Sequence, residues 1–187
     1  QTLDQRSVIT VSGADAATFL NGILTASTLD LPADAYRYGA LLTPQGKVIA
    51  DMLIIRQGED ILLDVARLSA AALVKRLTLM KLRAAVTITE RPDLGVIAFV
   101  GLPDPRDPHA PHRLIAPSAP ASDPARYHAA RIAAGLPEQG VDFGLEEVFP
   151  ADINMDLLGG VDFRKGCFVG QEVASRMNPT RGGCCPA

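Results

Sequence analysis

Two runs of apolar and branched residues, 36–43 and 48–56, are joined by Pro44, Gln45, Gly46 and Lys47. Proline presets one turn dihedral and glycine supplies another, so the runs return on each other as an antiparallel hairpin. Further strand-like stretches stand at 7–11, 61–65, 85–89 and 94–100. Helical spacing marks 16–24, through Ala16, Phe19, Leu20, Ile23 and Leu24, and 69–82, through Leu73, Leu77 and Met80. Ser12 reads as the cap of the first helix, with Asp15 three residues on as its partner. Strands and helices do not alternate regularly, and no glycine-rich phosphate loop is present. The pattern predicts an α+β fold with antiparallel sheets, not a doubly wound parallel one.

Residues 103–124 carry seven of the 14 prolines, with His109 and His112 and one brief apolar run at Leu114 and Ile115. This composition predicts a linker or long exposed loop. Ser122 reads as the cap of a further helix over 124–134, which Gly135 ends. Lys and Arg number 18 against 21 Asp and Glu, a net charge of -3, so no positive field exists to gather phosphate backbone and no nucleic-acid partner is expected. The longest uncharged apolar stretch, 94–102, is about half of what a membrane span needs. Three cysteines, Cys167, Cys184 and Cys185, cannot all pair within the chain. Together these predict a cytoplasmic protein with no membrane partner.

The densest cluster of unusual residues is Asp162 to Glu172, where Cys167 lies between Gly166 and Gly170 and follows Arg164 and Lys165. Glycine lets the backbone approach a ligand, and a neighbouring cation favours thiolate, so Cys167 and Lys165 are the candidate catalytic pair. Gln171, Glu172 and Arg176 follow as candidate ligand-holding residues, although Glu172 and Arg176 also suit a plain i, i+4 ion pair. Asp51 is the one charge in the apolar run 48–55 and must face solvent, a partner or a site. No metal site is expected: the cysteines lack paired C-x-x-C spacing, and His109-x-x-His112 lies in the proline segment.

The segment Lys165-Gly166-Cys167-Phe168-Val169-Gly170-Gln171-Glu172 resembles the signature of the YgfZ-type folate-binding proteins. These assist maturation of iron-sulfur enzymes and are similar to the aminomethyltransferase (T-protein) of the glycine cleavage system. Blocks at 11–20, 42–48 and 131–142 resemble family blocks in the same order, so the likeness spans most of 8–177. It implies an aminomethyltransferase-like folate-binding fold with a ferredoxin-like inserted unit and a cavity for tetrahydrofolate or a one-carbon derivative. It implies an accessory role in iron-sulfur protein assembly or repair, with client or assembly proteins as partners and Cys167 as the motif thiol. The alternative is a tetrahydrofolate-dependent aminomethyltransferase-like enzyme using Asp51. T-proteins carry two adjacent aspartates where this chain has Ala50 and Asp51, and they continue past the signature into a small β-barrel without counterpart here. The expected organisation is a discontinuous folate-binding domain from 1–44 plus 122–187, a ferredoxin-like unit over 45–116, and a proline-rich connection over 103–124.

Overall fold

The computed structural model describes residues 1–119 and 123–177. Seven strands form two sheets. β1 (Arg6–Ser12), β2 (Arg37–Leu42), β3 (Val48–Gln57), β4 (Asp60–Ala66) and β5 (Thr87–Glu90) make a five-stranded sheet in the order β2-β3-β4-β1-β5, every neighbour antiparallel. β6 (Leu94–Leu102) and β7 (Arg113–Pro117) pair separately. Among the described residues four α-helices complete the fold, α1 (Ala16–Ile23), α2 (Arg67–Met80), α3 (Ala125–Ala133) and the short α4 (Gln171–Arg176), with a 3-10 turn at Pro150–Ile153. Among the described residues no helix is long and apolar enough to cross a membrane.

Side chains alternate across a strand, so each strand gives the sheet two chemistries. Ile9 and Val11, Met52 and Ile54, and Ile61, Leu63 and Val65 point to one face, where α1 brings Ala16 and Leu20 and α2 brings Ala70, Leu73 and Leu77. The centre of this face is apolar, with Ser7, Arg56 and Glu90 at its margins. The opposite face holds two separate apolar clusters. Tyr38, Ala40, Leu42 and Leu53 meet Phe143, Ile153, Met155 and Phe168 in one; Val8 and Leu62 meet Val96, Ala98 and Tyr127 in the other.

The hairpin forms as the turn chemistry requires, with Gly46 at φ 86°. An expected boundary between residues 44 and 45 would fall inside this hairpin, and β1 and β2 share their sheet with β3, β4 and β5. Strands from both sides of that boundary therefore build the larger sheet, because β1 has two edges to satisfy and β4 and β5 supply the partners. The proline segment is also more ordered than its composition suggests. It contains β7, and Asp104 and Arg113 within it are buried. Ser12 does not cap α1; Asp15 holds the N-cap position without a side-chain cap bond, and its Oδ2 accepts from the Ala85 amide at 2.7 Å. Ser122, Cys184 and Cys185 lie outside the described residues.

Candidate functional site

Asp51 sits mid-strand in β3 with 3% of its surface exposed. Its parity is that of Leu53, so it points to the face with two clusters. The Tyr38 hydroxyl of β2 donates to Asp51 Oδ2 at 3.1 Å, whereas Oδ1 is enclosed without a hydrogen-bond partner. Burial pushes the carboxyl above the usual aspartate value; Arg6, Arg106 and the Tyr38 hydrogen bond pull it down, and Glu138 pushes it up.

Between the two apolar clusters runs a seam of buried charge. Arg6 of β1 meets Asp64 of β4 at 2.6 Å, and Arg113 of β7 takes the other oxygen of Asp64 at 2.7 Å while donating to the Tyr127 hydroxyl. Arg131 of α3 meets Glu138 at 3.2 Å and Asp142 at 2.6 Å. In the connection from β6 to β7, Asp104 receives Arg106 through two bonds, of 2.9 and 2.7 Å, and Arg113 Nε lies 3.7 Å away. The Arg106 guanidinium stands over the Tyr38 ring, 5.1 Å from its centre. Burying an ion costs several kcal/mol unless it is paired, which is why these charges come as interlocked partners.

Sequence reasoning found Asp51 and missed the rest of this seam. The signal was present for Asp64, which interrupts the apolar run 61–65 as Asp51 interrupts 48–55. Arg106 and Arg113 lie in the proline-rich stretch, where cations read as solvated.

The glycine-framed segment lies elsewhere. Cys167 is exposed with a free thiol. Lys165 reaches back to donate to the Asn21 carbonyl at the end of α1 and stands 5.3 Å over the Phe168 ring. Burial lowers its ammonium below the usual lysine value, opposed by the charges of Asp162 and Cys167. Gln171 uses its Oε1 to accept from the Phe168 amide at 3.3 Å, so it orders the loop. Glu172 and Arg176 pair with each other at 2.7 Å with side chains 75% and 76% exposed. Such a pair contributes only a few tenths of a kcal/mol. Gly170, at φ 78°, starts α4 where a Cβ would lie 2.6 Å from the Thr43 carbonyl, so α4 rests directly on the β2–β3 turn. Two other returns fasten this region to the N-terminal part: Thr25 Oγ1 donates to the Gly160 carbonyl at 2.6 Å, and the Asp162 amide donates to the Thr25 carbonyl at 2.9 Å.

Asp51 and Cys167 thus occupy separate places, the first sealed inside and the second open. Their shared surroundings are the apolar cluster to which Tyr38 and Phe168 both belong. The resemblance implies a cavity for tetrahydrofolate, with Asp51 as a candidate residue to hold it. Among the described residues, surface depressions lie beside Gly13, Arg56 and Glu59, beside Phe99, His109 and Arg126, beside Arg67 and Glu90, and beside Pro150, Phe163 and Ala174, and Asp51 lines none of these four.

The arrangement of sheets matches a solved glycine cleavage system aminomethyltransferase T from Bartonella henselae, with a TM-score of 0.67 over 94% of this chain and 61% of that one at 14% identity. The fold is therefore the aminomethyltransferase fold, α+β with antiparallel sheets. The mitochondrial iron-sulfur cluster assembly factor IBA57 homolog of Pyricularia oryzae is 33% identical over 93% of the chain and 52% of its own length. The human iron-sulfur cluster assembly factor IBA57 is 29% identical over 93% of the chain and 61% of its own length. The chain thus spans just over half the length of the curated relatives it matches. Both relatives are named as mitochondrial, which overturns the expectation of a cytoplasmic protein. The family model for the GCVT N-terminal domain matches residues 3–106, more than half of the sequence, and the chain belongs to that family.

Proposed function

We propose that this chain is a tetrahydrofolate-binding accessory factor in iron-sulfur cluster protein assembly, of the YgfZ type, acting through Cys167. The observation that carries this reading is the match, across 93% of the chain, to relatives named as iron-sulfur cluster assembly factors. The exposed thiol of Cys167, on a loop ordered by Gln171 and tethered through Lys165, gives such a factor a reactive group within reach of a partner protein. Asp51 is the anchor for the pterin. A pterin edge offers N–H donors, and the enclosed Oδ1 of Asp51 is a buried acceptor that lacks one. The N–H edge of a pterin thus matches this acceptor, and Asp51 would hold it by accepting that hydrogen bond.

Two measurements test the reading. In cells deprived of their own factor, Cys167→Ser should abolish support of iron-sulfur enzyme activity while the purified variant keeps its melting temperature. Titration with tetrahydrofolate should show binding that Asp51→Asn weakens by about tenfold, the worth of one lost hydrogen bond to a charged group. Full support by Cys167→Ser would remove the thiol from the mechanism, and unchanged affinity in Asp51→Asn would leave Asp51 as a structural carboxylate.

The transferase reading has one observation in its favour: burial raises the Asp51 carboxyl above the usual aspartate value, the direction that makes a carboxylate a better proton acceptor. An aminomethyl donor consumed in the presence of tetrahydrofolate, and spared by Asp51→Asn, would favour it over the accessory role.

A further inference from the structure

Asp51 is sealed, and the groups that seal it are on the page. Tyr38 covers one carboxylate oxygen with its hydroxyl, and the planar guanidinium of Arg106 covers the Tyr38 ring. Arg106 is held there by both oxygens of Asp104. Among the buried polar atoms without a hydrogen-bond partner are Asp51 Oδ1 and Arg113 Nε, with Glu138 near them in the same state. Arg113 Nε lies 3.7 Å from the Asp104 oxygen that Arg106 occupies. A buried polar atom without a partner carries an uncompensated desolvation cost, so the closed arrangement bears one at Asp51 Oδ1 and one at Arg113 Nε.

If Arg106 leaves, Arg113 can relieve its own cost, and a ligand in the vacated place can relieve that of Asp51. Arg113 Nε can then close the last ångström and donate to Asp104, so the carboxylate keeps a cationic partner. The Tyr38 face, which the guanidinium occupied, is free for a flat ring, and the N–H edge of that ring can reach Asp51 Oδ1. An arginine side chain and a pterin share the features that matter here, a planar conjugated body and a fork of N–H donors.

Resting on the reading of Asp51 as the pterin anchor, we infer that Arg106 is a gate. Clamped by Asp104 it closes the Tyr38–Asp51 site, and a reduced pterin takes its place on Tyr38 while Arg113 takes its place on Asp104. The groups that face Asp51 from the packed elements are Tyr38, Arg6, Arg106 and Glu138, and of these Arg106 alone comes from a connection between strands of the smaller sheet.

The gate predicts a gain from a loss. Arg106→Gln should bind tetrahydrofolate about tenfold more tightly than the wild type, the factor expected when a competent state populated to about a tenth becomes the dominant one. The same variant should open Tyr38 to nitration by tetranitromethane without any folate present. Peptide mapping should show Tyr38 reacting several-fold faster, with buried Tyr36 and Tyr127 remaining slow as internal controls for the fold. Should Arg106→Gln fail to fold because Asp104 loses its partner, the double variant Asp104→Asn with Arg106→Gln removes both charges and carries the same expectations. Unchanged nitration of Tyr38, or weaker tetrahydrofolate binding in the variants, would overturn the gate. Faster Tyr38 nitration with no tetrahydrofolate binding by any form would leave the gate standing and remove the folate reading instead.

Discussion

At the scale of single residues, Asp51 carries a cost that depends on pH. Its folded-state carboxyl lies above the ordinary value of 3.8, chiefly because burial disfavours the charge. Between that value and the raised one the folded chain holds more protons than the unfolded chain, so stability falls as pH rises through this window. Asp104 has the opposite sign: its partners Arg106 and Arg113 hold it below 3.8 despite burial, so its contribution is lost only as pH falls below the ordinary range. The two windows do not overlap. The melting temperature of the wild type should therefore decline relative to Asp51→Asn as pH rises from 4 toward neutrality, and the two curves should run parallel below 4. Parallel curves throughout would mean that Asp51 titrates as an exposed carboxylate does. Asp51 was legible because a single charge in an apolar run must be explained. Its partners were not, since Tyr38 stands 13 residues away on the next strand, and Arg106 is brought near only by the path of the β6–β7 connection.

At the scale of elements, the joint between α4 and the β2–β3 turn depends on two glycines meeting. A Cβ on Gly170 would press on the Thr43 carbonyl and on Leu42, and one on Gly46 would press on Val173. Gly166 is also at positive φ, but a Cβ there would meet nothing within 4 Å. Gly170→Ala should therefore cost both a left-handed backbone penalty and a displaced helix, roughly 1–3 kcal/mol, and should expose 171–177 to proteolysis. Gly166→Ala should cost only the backbone part and leave protease resistance intact. Urea unfolding and limited digestion of the two variants check the contrast. The hairpin itself was readable from Pro44 and Gly46, because its geometry is local. The contact of its turn with α4 was not, because residues 43 and 170 meet only through the whole fold. The strand β7 went unread for a related reason: Arg113–Pro117 has the composition of its proline-rich surroundings, and its strand character comes from pairing with β6.

At the scale of the whole molecule, the charged seam joins the two sheets alongside the apolar cluster of Val8, Leu62, Val96 and Ala98. Asp64 lies on the larger sheet and Arg113 on the smaller, with Tyr127 of α3 completing the contact. Removing one partner of a buried pair leaves a bare charge inside, so Arg113→Ala should lower stability by about 3–5 kcal/mol, read from the urea midpoint. Replacing Asp64 as well should not recover the loss, because Arg6 then loses the carboxylate it meets at 2.6 Å and becomes the bare buried charge. A loss under 1 kcal/mol in Arg113→Ala would show that solvent reaches the seam. The α+β class was legible from the order of strands and helices, while the seam is a property of the assembled sheets and has no local signature.

The place of β1 in the sheet also orders events in time. β1 ends at Ser12, yet its neighbours β4 and β5 begin at Asp60 and Thr87. On a ribosome the strand destined for the interior of the sheet therefore waits, both edges unpaired, while most of the sheet is still being made. Antiparallel partners so distant in sequence make closure a slow step, because the intervening chain must lose its freedom before any contact rewards it. During that interval Val8, Ile9 and Val11 form an apolar segment that a chaperone can hold or a neighbouring chain can capture. Yield on expression should accordingly depend on how quickly the nascent chain reaches Glu90.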